Sequence, residues 1–325
     1  MAAEQRTAGT ADRGVPSLRT DDPAGEEDAA PADGAAGEAA ADTRSVELGL
    51  DALDSAPPAQ TGPSRGRRIV ATVLPPILFL VALVGVWQLA YVAKLKPTYT
   101  LPSPADVGQQ FWDNVEDGTA LEAIWTSLSR GAVGFALALV IGTALGLAMY
   151  ASRWLRAAIG PIISGLQSLP SVAWVPAAII WFGFSNAAIY AVVILGAAPS
   201  IANGLLGGMR QVPPLFDRVG RVLGLTATGR IRHVLLPAAL PGYLTGLRQG
   251  WAFSWRSLMA AELITYSPSL GIGLGQLLNL GREQSQMTLV FTSIILILAV
   301  GIAIELLIFA PIERRVLVSR GLAID

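Results

Sequence analysis

Long uncharged stretches alternate with short charged ones along most of the chain, and this pattern predicts membrane-spanning helices. Residues 69–93 are 25 positions without a charge, and a helix of that length reaches about 37 Å, enough to cross a hydrocarbon core of about 30 Å. Residues 157–209 carry no charge over 53 positions, which is too long for one span and predicts two, joined by a turn at 183–186. In all, the pattern predicts six spans, at about residues 69–93, 131–150, 158–182, 187–208, 239–264 and 287–308.

Charges at the ends of these spans predict the orientation of the chain. Three arginines precede the first span, two follow the second, and the segment between the fourth and fifth spans is basic. Because short loops rich in Lys and Arg remain on the cytoplasmic side, we expect both termini and that basic segment in the cytoplasm. Residues 94–127, which are acidic, and residues 265–287 are then external. The chain is therefore predicted to be an all-α, multi-pass protein of the cell membrane.

The first 64 residues differ in composition from the rest. They hold 13 acidic residues, 4 arginines and no aromatic residue, for a net charge of −9, whereas residues 65–325 have a net charge of +8. A segment with so little apolar surface cannot offset the entropy lost on folding, so we expect residues 1–64 to be a disordered tail. Residues 46–53 could form a short helix, either as a docking peptide or within a solvated tail. Residues 65–325 form the predicted transmembrane domain.

The composition also excludes several kinds of chemistry. Only 14% of the residues are charged and the mean hydropathy is +0.52, whereas soluble domains carry about 25% charged residues. With no cysteine and one histidine, we expect no disulfide, no thiol chemistry, no bound metal and no cofactor. The acidic start lacks the basic region of an ordinary signal peptide. No nucleic-acid partner is expected.

The basic segment 215–237 predicts an elbow of two short helices. Apolar and charged positions alternate from Asp217 onward as on an amphipathic helix, with Arg218 and Arg221 off the apolar face. Gly224 relaxes the backbone after this helix, and a threonine at 226 or 228 is placed to cap a second one beginning near Gly229. Pro237 and Pro241 end the elbow and begin the fifth span. The arginines could bind anionic lipid headgroups or form a solvated face that meets a protein partner.

The fifth span carries charges within an otherwise apolar stretch. Each charge at the centre of a span costs roughly 2.5–3.5 kcal/mol, so Arg248, Arg256 and Glu262 need partners or water. Arg248, Trp255 and Glu262 recur every seven residues and share one face of a helix, whereas Arg256 and Glu262 lie about 240° apart and are not an intrahelical pair. These residues either line a pathway for an anionic substrate or brace neighbouring helices.

Within the elbow, the sequence resembles the coupling loop of ABC transporter permease subunits. The family pattern is E-A-A, three residues, G, nine residues and then I-x-L-P. Gly224 is followed by nine residues and by V-L-L-P ending at Pro237, which matches the second half of the pattern. In the first half, R-V-G at 218–220 stands where E-A-A is expected, with Asp217 one place early.

Further motifs along residues 69–315 are similar to those of the nitrate, sulfonate and taurine importer branch of these permeases. Each motif is short, and the resemblance rests on their common order and spacing. They are L-P-S-P at 101–104, S-L-S-R at 127–130, S-L-P-S-V-A-W-V-P at 168–176, W-F-G at 181–183, L-P-A-A-L-P at 236–241, G-L-R at 246–248 and A-E-L-I at 261–264.

The resemblance implies a type I ABC importer permease with six transmembrane helices. In that family the elbow docks onto a cytosolic ATP-binding cassette subunit, and the matching positions here are Asp217, Arg218, Arg221, Gly224 and Pro237. An external solute-binding protein would deliver a small anion such as a sulfonate, taurine or nitrate. A second copy of the chain would complete a homodimer among membrane lipids. The chain itself would not be an enzyme, because the separate subunit would hydrolyse ATP.

Other functions fit a membrane chain of this kind. An ABC permease for a different small molecule would have the same architecture. A stand-alone secondary carrier or channel would be expected to show an internal repeat of its spans or a run of pore-lining polar residues. A membrane-embedded enzyme would need a catalytic cluster within the membrane. The sequence favours the importer permease, since it shows none of the features of the last two classes.

Overall fold

The structure is a computed structural model that describes residues 65–265, 267 and 270–320, with side chains from residue 74 onward. The predicted tail at residues 1–64, with the possible helix at 46–53, lies outside the described residues. Contacts divide the chain into two units, Met1–Leu74 and Pro75–Asp325. The described part of the first unit is helical, and the second unit holds the remaining helices.

The described residues fold into helices joined by short turns. A 3-10 turn at Ser171–Trp174 precedes one α-helix, and π-helical turns at Ile231–Leu235 and Glu305–Phe309 each lead directly into the next α-helix. In chain order the α-helices are α1 Arg65–Val92, α2 Pro104–Glu116, α3 Thr119–Ala151, α4 Arg153–Ser168, α5 Val175–Phe182, α6 Asn186–Gln211, α7 Pro214–Val222, α8 Ala227–Arg230, α9 Leu236–Ile264, α10 Leu274–Glu283, α11 Met287–Ile304 and α12 Ala310–Ser319.

In the described part of the chain, four helical segments are long and apolar enough to cross a membrane. They are Leu74–Val92, Thr119–Ala151, Asn186–Gln211 and Met287–Ser319, and the bent pair of α4 and α5 makes a fifth if it is counted as one span. The predicted fifth span, α9, has 29 residues, or about 43 Å, but it is more polar than the others and is not among them. The six-span topology therefore stays a prediction.

The predicted third span, residues 158–182, consists of two helices that meet at an angle of 103°. Pro170 causes the break, because a proline disfavours the helical conformation in the residue before it. Leu169 accordingly has φ −78° and ψ 130°. After α5, Gly183 has a φ of +68°, and α6 begins at Asn186. The turn between the two halves of the uncharged stretch thus lies at the predicted position.

Both predicted external loops contain a packed helix. Ser103 caps α2, because its Oγ accepts a hydrogen bond from the Asp106 amide at 3.0 Å while the Asp106 carboxylate accepts one from the Ser103 amide at 3.3 Å. In the second loop, α10 buries Leu274 and Leu277. Both helices pack against α11. Tertiary contacts of this kind stabilise helices that are too short to be stable alone.

The core is built around α6, which packs against α9 and α3. Glycines allow the backbones of these helices to approach closely. A Cβ on Gly246 would lie 2.6 Å from the Cα of Gly204, and a Cβ on Gly142 would lie 2.7 Å from the carbonyl oxygen of Ala198. Small residues pair helices in this way inside membranes. The packing fixes which face of α9 points inward and which points outward.

Candidate functional site

The basic segment 215–237 contains a helix–glycine–helix elbow. The helix α7 ends in a Schellman motif, in which the Leu225 amide donates to the Gly220 carbonyl at 3.0 Å. Gly224 has a φ of +75°, a conformation that strains residues with a Cβ. Thr226 then caps α8 by accepting a hydrogen bond from the Gly229 amide at 3.2 Å. This turn chemistry holds the two short helices in one arrangement.

Asp217 ties the two limbs of the elbow together. Its Oδ1 lies 2.8 Å from Nε of Arg230 on the second limb, and its Oδ2 lies 2.9 Å from Nη2 of Arg221, one turn along α7. Arg230 also packs beside Gly220, where a Cβ would lie 3.1 Å from Cγ of Arg230. Arg218 is exposed and takes part in none of the ion pairs of the described residues. One carboxylate therefore contacts two arginines within the loop.

Apolar side chains of the elbow face outward. Val222 is 87% exposed and Leu223 is 72% exposed, and Leu223 lines a groove of about 520 Å³. An apolar patch rimmed by charged residues is typical of a contact surface for another protein. The groove lining includes Leu215, Phe216, Val219 and Leu223 from α7 and its end, His233 and Val234 from the π-helical turn, and Pro237 from the start of α9.

Glu262, near the end of α9, is buried in an ion pair. Its Oε1 lies 2.9 Å from Nη1 of Arg130 on α3, and the two side chains are 0% and 5% exposed. Arg130 Nε donates to Oδ1 of Asn186 at 3.0 Å, and its Nη2 donates to the carbonyl of Leu270. The pair therefore joins α3, α9, the start of α6 and the turn before α10.

The second carboxylate oxygen of Glu262 is also hydrogen-bonded. It accepts from Ser127 Oγ at 2.7 Å and from the Gly275 amide at 3.0 Å, and Ser127 Oγ in turn accepts from the Leu274 amide at 2.8 Å. A Cβ on Gly275 would lie 2.6 Å from Cβ of Glu262, so the glycine lets α10 approach α9. A carboxylate with three donors and no exposed surface favours the bracing interpretation of Glu262.

The three residues at seven-residue spacing on α9 meet different neighbours. Arg248 lies about 21 Å along α9 from the buried carboxylate, and it pairs with Glu305 and with Glu313, the latter at 3.0 Å. Trp255 is 8% exposed and stacks on Trp251 with 6.2 Å between the ring centroids. Arg248 thus joins α9 to the C-terminal helices, and Trp255 belongs to the aromatic core.

Arg256 has a different environment from the other charges of α9. It is exposed, its Nε donates to the Ala252 carbonyl at 3.0 Å, and its guanidinium carbon lies 4.6 Å from the centroid of the Phe253 ring. Among the residues that the structure describes, Arg256 takes part in no ion pair. Arg256 lines a cavity of about 350 Å³, together with residues 166–172 of the broken span and Gly196.

A polar stripe runs along the outward face of α9. Thr245, Gln249 and Arg256 are exposed and lie four and seven positions apart, which places them on one side of the helix. Gly246 and Gly250, about 100° further around the helix, are buried. Polar and charged groups are costly against lipid, so this stripe is expected to meet water or protein.

Several residues of these sites were not predicted. Arg130 and Ser127 entered the sequence prediction only within a motif, although a lone arginine next to an uncharged stretch was a signal for a buried partner. Gln167, a polar residue inside the uncharged stretch 157–209, was a weaker signal. Leu215 and Phe216 gave no signal in the sequence, because exposed apolar residues cannot be distinguished from buried ones by sequence alone.

Comparison with known proteins gives a family match over more than half of the chain. Residues 134–318 match the family described as "Binding-protein-dependent transport system inner membrane component". The chain is 31% identical over 244 residues to a nitrate import permease protein of Synechocystis sp., a match that covers 72% of this chain and 86% of the relative.

Two further relatives are named for other solutes. The chain is 30% identical over 190 residues to a taurine transport system permease protein of Escherichia coli, covering 57% of this chain and 69% of the relative. It is 33% identical over 180 residues to a bicarbonate transport system permease protein of Synechococcus elongatus, covering 55% of this chain and 63% of the relative.

Two solved structures share the fold at low sequence identity. One is an amino acid ABC transporter with histidines, with 18% identity, a TM-score of 0.51 and coverage of 63% of this chain and 98% of that chain. The other is an inward-facing methionine ABC transporter, with 23% identity, a TM-score of 0.50 and coverage of 60% and 95%. At this identity the likeness concerns the fold alone, which is that of type I ABC importer permeases.

Proposed function

Since this chain belongs to the family of binding-protein-dependent transport system inner membrane components, we propose that it forms the pathway of an ATP-driven importer for a small anion. The solute is a sulfonate, taurine or nitrate-like anion, and an external solute-binding protein delivers it. Relatives named for nitrate, taurine and bicarbonate support this class, since each of these solutes carries an anionic group. The observation that carries the proposal is Arg256, an exposed cation on α9 outside the ion pairs of the described residues.

The elbow is the docking site for a cytosolic ATPase subunit. Its exposed apolar residues, Val222 and Leu223, supply the contact surface, and the exposed arginines, Arg218 and Arg221, surround it. Asp217 sits one place before the position of the family glutamate and acts within the elbow rather than across the interface, because both of its oxygens are engaged by arginines of the loop. Docking therefore rests mainly on apolar contact, with charges at the rim.

A second copy of the chain faces the polar stripe of α9. Thr245, Gln249 and Arg256 are exposed on one side of a helix whose other side packs on α6. Two such stripes facing one another across a homodimer enclose polar groups between proteins and shield them from lipid. In this arrangement both termini and the elbow lie in the cytoplasm of the cell.

Transport then follows from movement of the elbows. When two ATPase subunits close on ATP, the docked elbows move with them, and α9 follows because the second limb continues into it through the π-helical turn Ile231–Leu235. The two copies thereby alternate between inward- and outward-facing states. ATP hydrolysis by the ATPase subunits resets the cycle, and this chain performs no chemical reaction.

The docking assignment is tested at Gly224, whose left-handed conformation tolerates asparagine far better than a β-branched residue. Gly224→Val should reduce the ATPase subunit retained on co-purification roughly 5- to 30-fold, as expected for a strain of about 1–2 kcal/mol, whereas Gly224→Asn should retain most of it. Size-exclusion chromatography shows whether both variants remain folded. Wild-type retention by a folded Gly224→Val chain would contradict docking, and solute uptake by the chain alone in vesicles would identify a secondary carrier instead.

A further inference from the structure

The cavity of about 350 Å³ beside Arg256 combines features of a binding site within the membrane. We propose that it holds the translocated anion in the pathway, with the Arg256 guanidinium as the group that binds the charge. This inference rests on the proposed import function and adds to it the place and the chemistry of recognition. It makes Arg256 a substrate-binding residue, and the buried Glu262 a structural one.

The guanidinium group of Arg256 is held in one orientation and is available to bind a ligand. The hydrogen bond from its Nε to the Ala252 carbonyl and the contact with the Phe253 ring hold one edge and one face of the guanidinium. The two terminal nitrogens remain for a ligand, since Arg256 belongs to no ion pair of the described residues. A planar guanidinium with two parallel N–H groups matches two oxygens of a nitrate, bicarbonate or sulfonate group.

Another part of the cavity wall is the break in the third span. Residues 166–172 line the cavity, and helical hydrogen bonding stops between α4 and the 3-10 turn. Irregular backbone at membrane depth is tolerated only where it is buried in protein or lines a water-filled space. Because Ser168, Leu169 and Pro170 at the break are exposed rather than buried in the protein, the broken span is evidence, separate from Arg256, that this cavity is hydrated.

Polar side chains near the cavity are neutral and held in place. Gln167 donates from Nε2 to Ser200 Oγ and accepts at Oε1 from Asn203 Nδ2, both at 3.0 Å. Ser257 Oγ is buried without a hydrogen-bond partner among the described residues, and it lies against Gly196 of the lining. Buried hydroxyls without a protein partner usually bind water or a ligand.

The charge of the lining residues and the volume of the cavity determine which solutes it can bind. Its lining residues include one arginine and no acidic residue. Where water is partly excluded, this charge lowers the electrostatic energy of a bound anion and raises that of a cation. A volume of about 350 Å³ is at the low end for pockets that hold small molecules. The site thus fits a small oxyanion with a short organic group, or an inorganic one.

The test uses the complete transporter, with its ATPase subunits and binding protein, reconstituted in proteoliposomes. Uptake of labelled nitrate and of labelled methanesulfonate is compared for the wild type, Arg256→Gln and Arg256→Lys. Arg153→Gln removes an equivalent exposed charge from the start of α4 and is the matched control. Loss of a charge-assisted hydrogen bond predicts about 10- to 100-fold slower anion uptake in Arg256→Gln, with the subunits still assembled and the control unaffected.

Arg256→Lys separates recognition from a structural role. A lysine keeps the charge but not the paired N–H groups, so it should restore part of the uptake and change the ratio of nitrate to methanesulfonate transported. An unchanged ratio together with wild-type uptake in Arg256→Gln would overturn the inference and leave the anion importer intact. If the wild-type transporter carries only uncharged solutes, the proposed function itself fails, and the inference fails with it.

Discussion

Glu262 and Arg256 lie six positions apart on the same helix, yet the structure gives them opposite environments. Glu262 is 0% exposed and has Arg130, Ser127 and a backbone amide as donors to its carboxylate. Arg256 is exposed, lines a cavity and contacts no carboxylate among the described residues. One charge is paired within the protein, and the other has no counter-charge among the described residues.

A membrane helix can therefore carry charges for two purposes. A buried charge with all its partners contributes to the uniqueness of the packing, and removing one partner leaves the other uncompensated. An exposed charge without a protein partner contributes little to stability and can instead bind a ligand. Stability measurements and transport measurements should therefore separate the two residues.

The largest effect is expected at the buried pair. Glu262→Gln leaves the guanidinium of Arg130 buried without a counter-charge, which should lower the free energy of unfolding by about 3–5 kcal/mol. Glu313→Gln is the matched control, since its partner Arg248 is about half exposed and such pairs contribute up to about 1 kcal/mol. The measurement is denaturant unfolding of the purified subunit in detergent micelles. Equal losses in the two variants would remove the distinction between buried and exposed pairs.

A smaller effect is expected at the glycine beside Glu262. In Gly275→Ala the new Cβ would lie 2.6 Å from Cβ of Glu262 and 2.8 Å from the Met259 carbonyl, so α10 must shift, at about 1–3 kcal/mol. Gly207→Ala is the control, because nothing lies within 4 Å of that position and alanine favours helix. The same unfolding measurement applies. A Gly275→Ala chain as stable as the control would mean that the network around Glu262 does not need close contact with α10.

Loss of the two ion pairs of Asp217 should have a modest effect that is confined to the stability of the elbow. Asp217 is about a quarter exposed and meets two arginines, and pairs near the surface contribute about 0.2–1 kcal/mol. Asp217→Asn should therefore accelerate amide hydrogen exchange across residues 217–230 by about 1.4- to 5-fold. Arg232 belongs to no ion pair of the described residues, so Arg232→Gln should leave the rate of exchange unchanged. Equal acceleration in both variants would indicate that Asp217 does not tie the limbs together.

The smallest effect on stability is expected at Arg256. Because its guanidinium has no carboxylate partner in the described part of the chain, Arg256→Gln should change the free energy of unfolding by no more than about 0.5 kcal/mol. A loss approaching that of Glu262→Gln would show that Arg256 is a second brace and that the contrast between the two charges is wrong.

The all-α membrane architecture, the family and the position of the elbow follow from the sequence alone. The uncharged stretches set span lengths because a helix must cross a fixed thickness of hydrocarbon. Gly224 and Pro237 marked the elbow, since a positive φ and a missing amide hydrogen are properties of single residue types. These features depend on local sequence, so no tertiary contact was needed to predict them.

Which charges have partners depends on contacts between residues that are distant in the sequence. The ion pair of Arg130 and Glu262 joins residues 132 positions apart, and no periodicity within α9 distinguishes a charge with a distant partner from one without. The same holds for the 103° bend at Pro170 and for α10, whose packing depends on other helices. Arg248, Trp255 and Glu262 share one face of α9 by their spacing, but each meets a different neighbour.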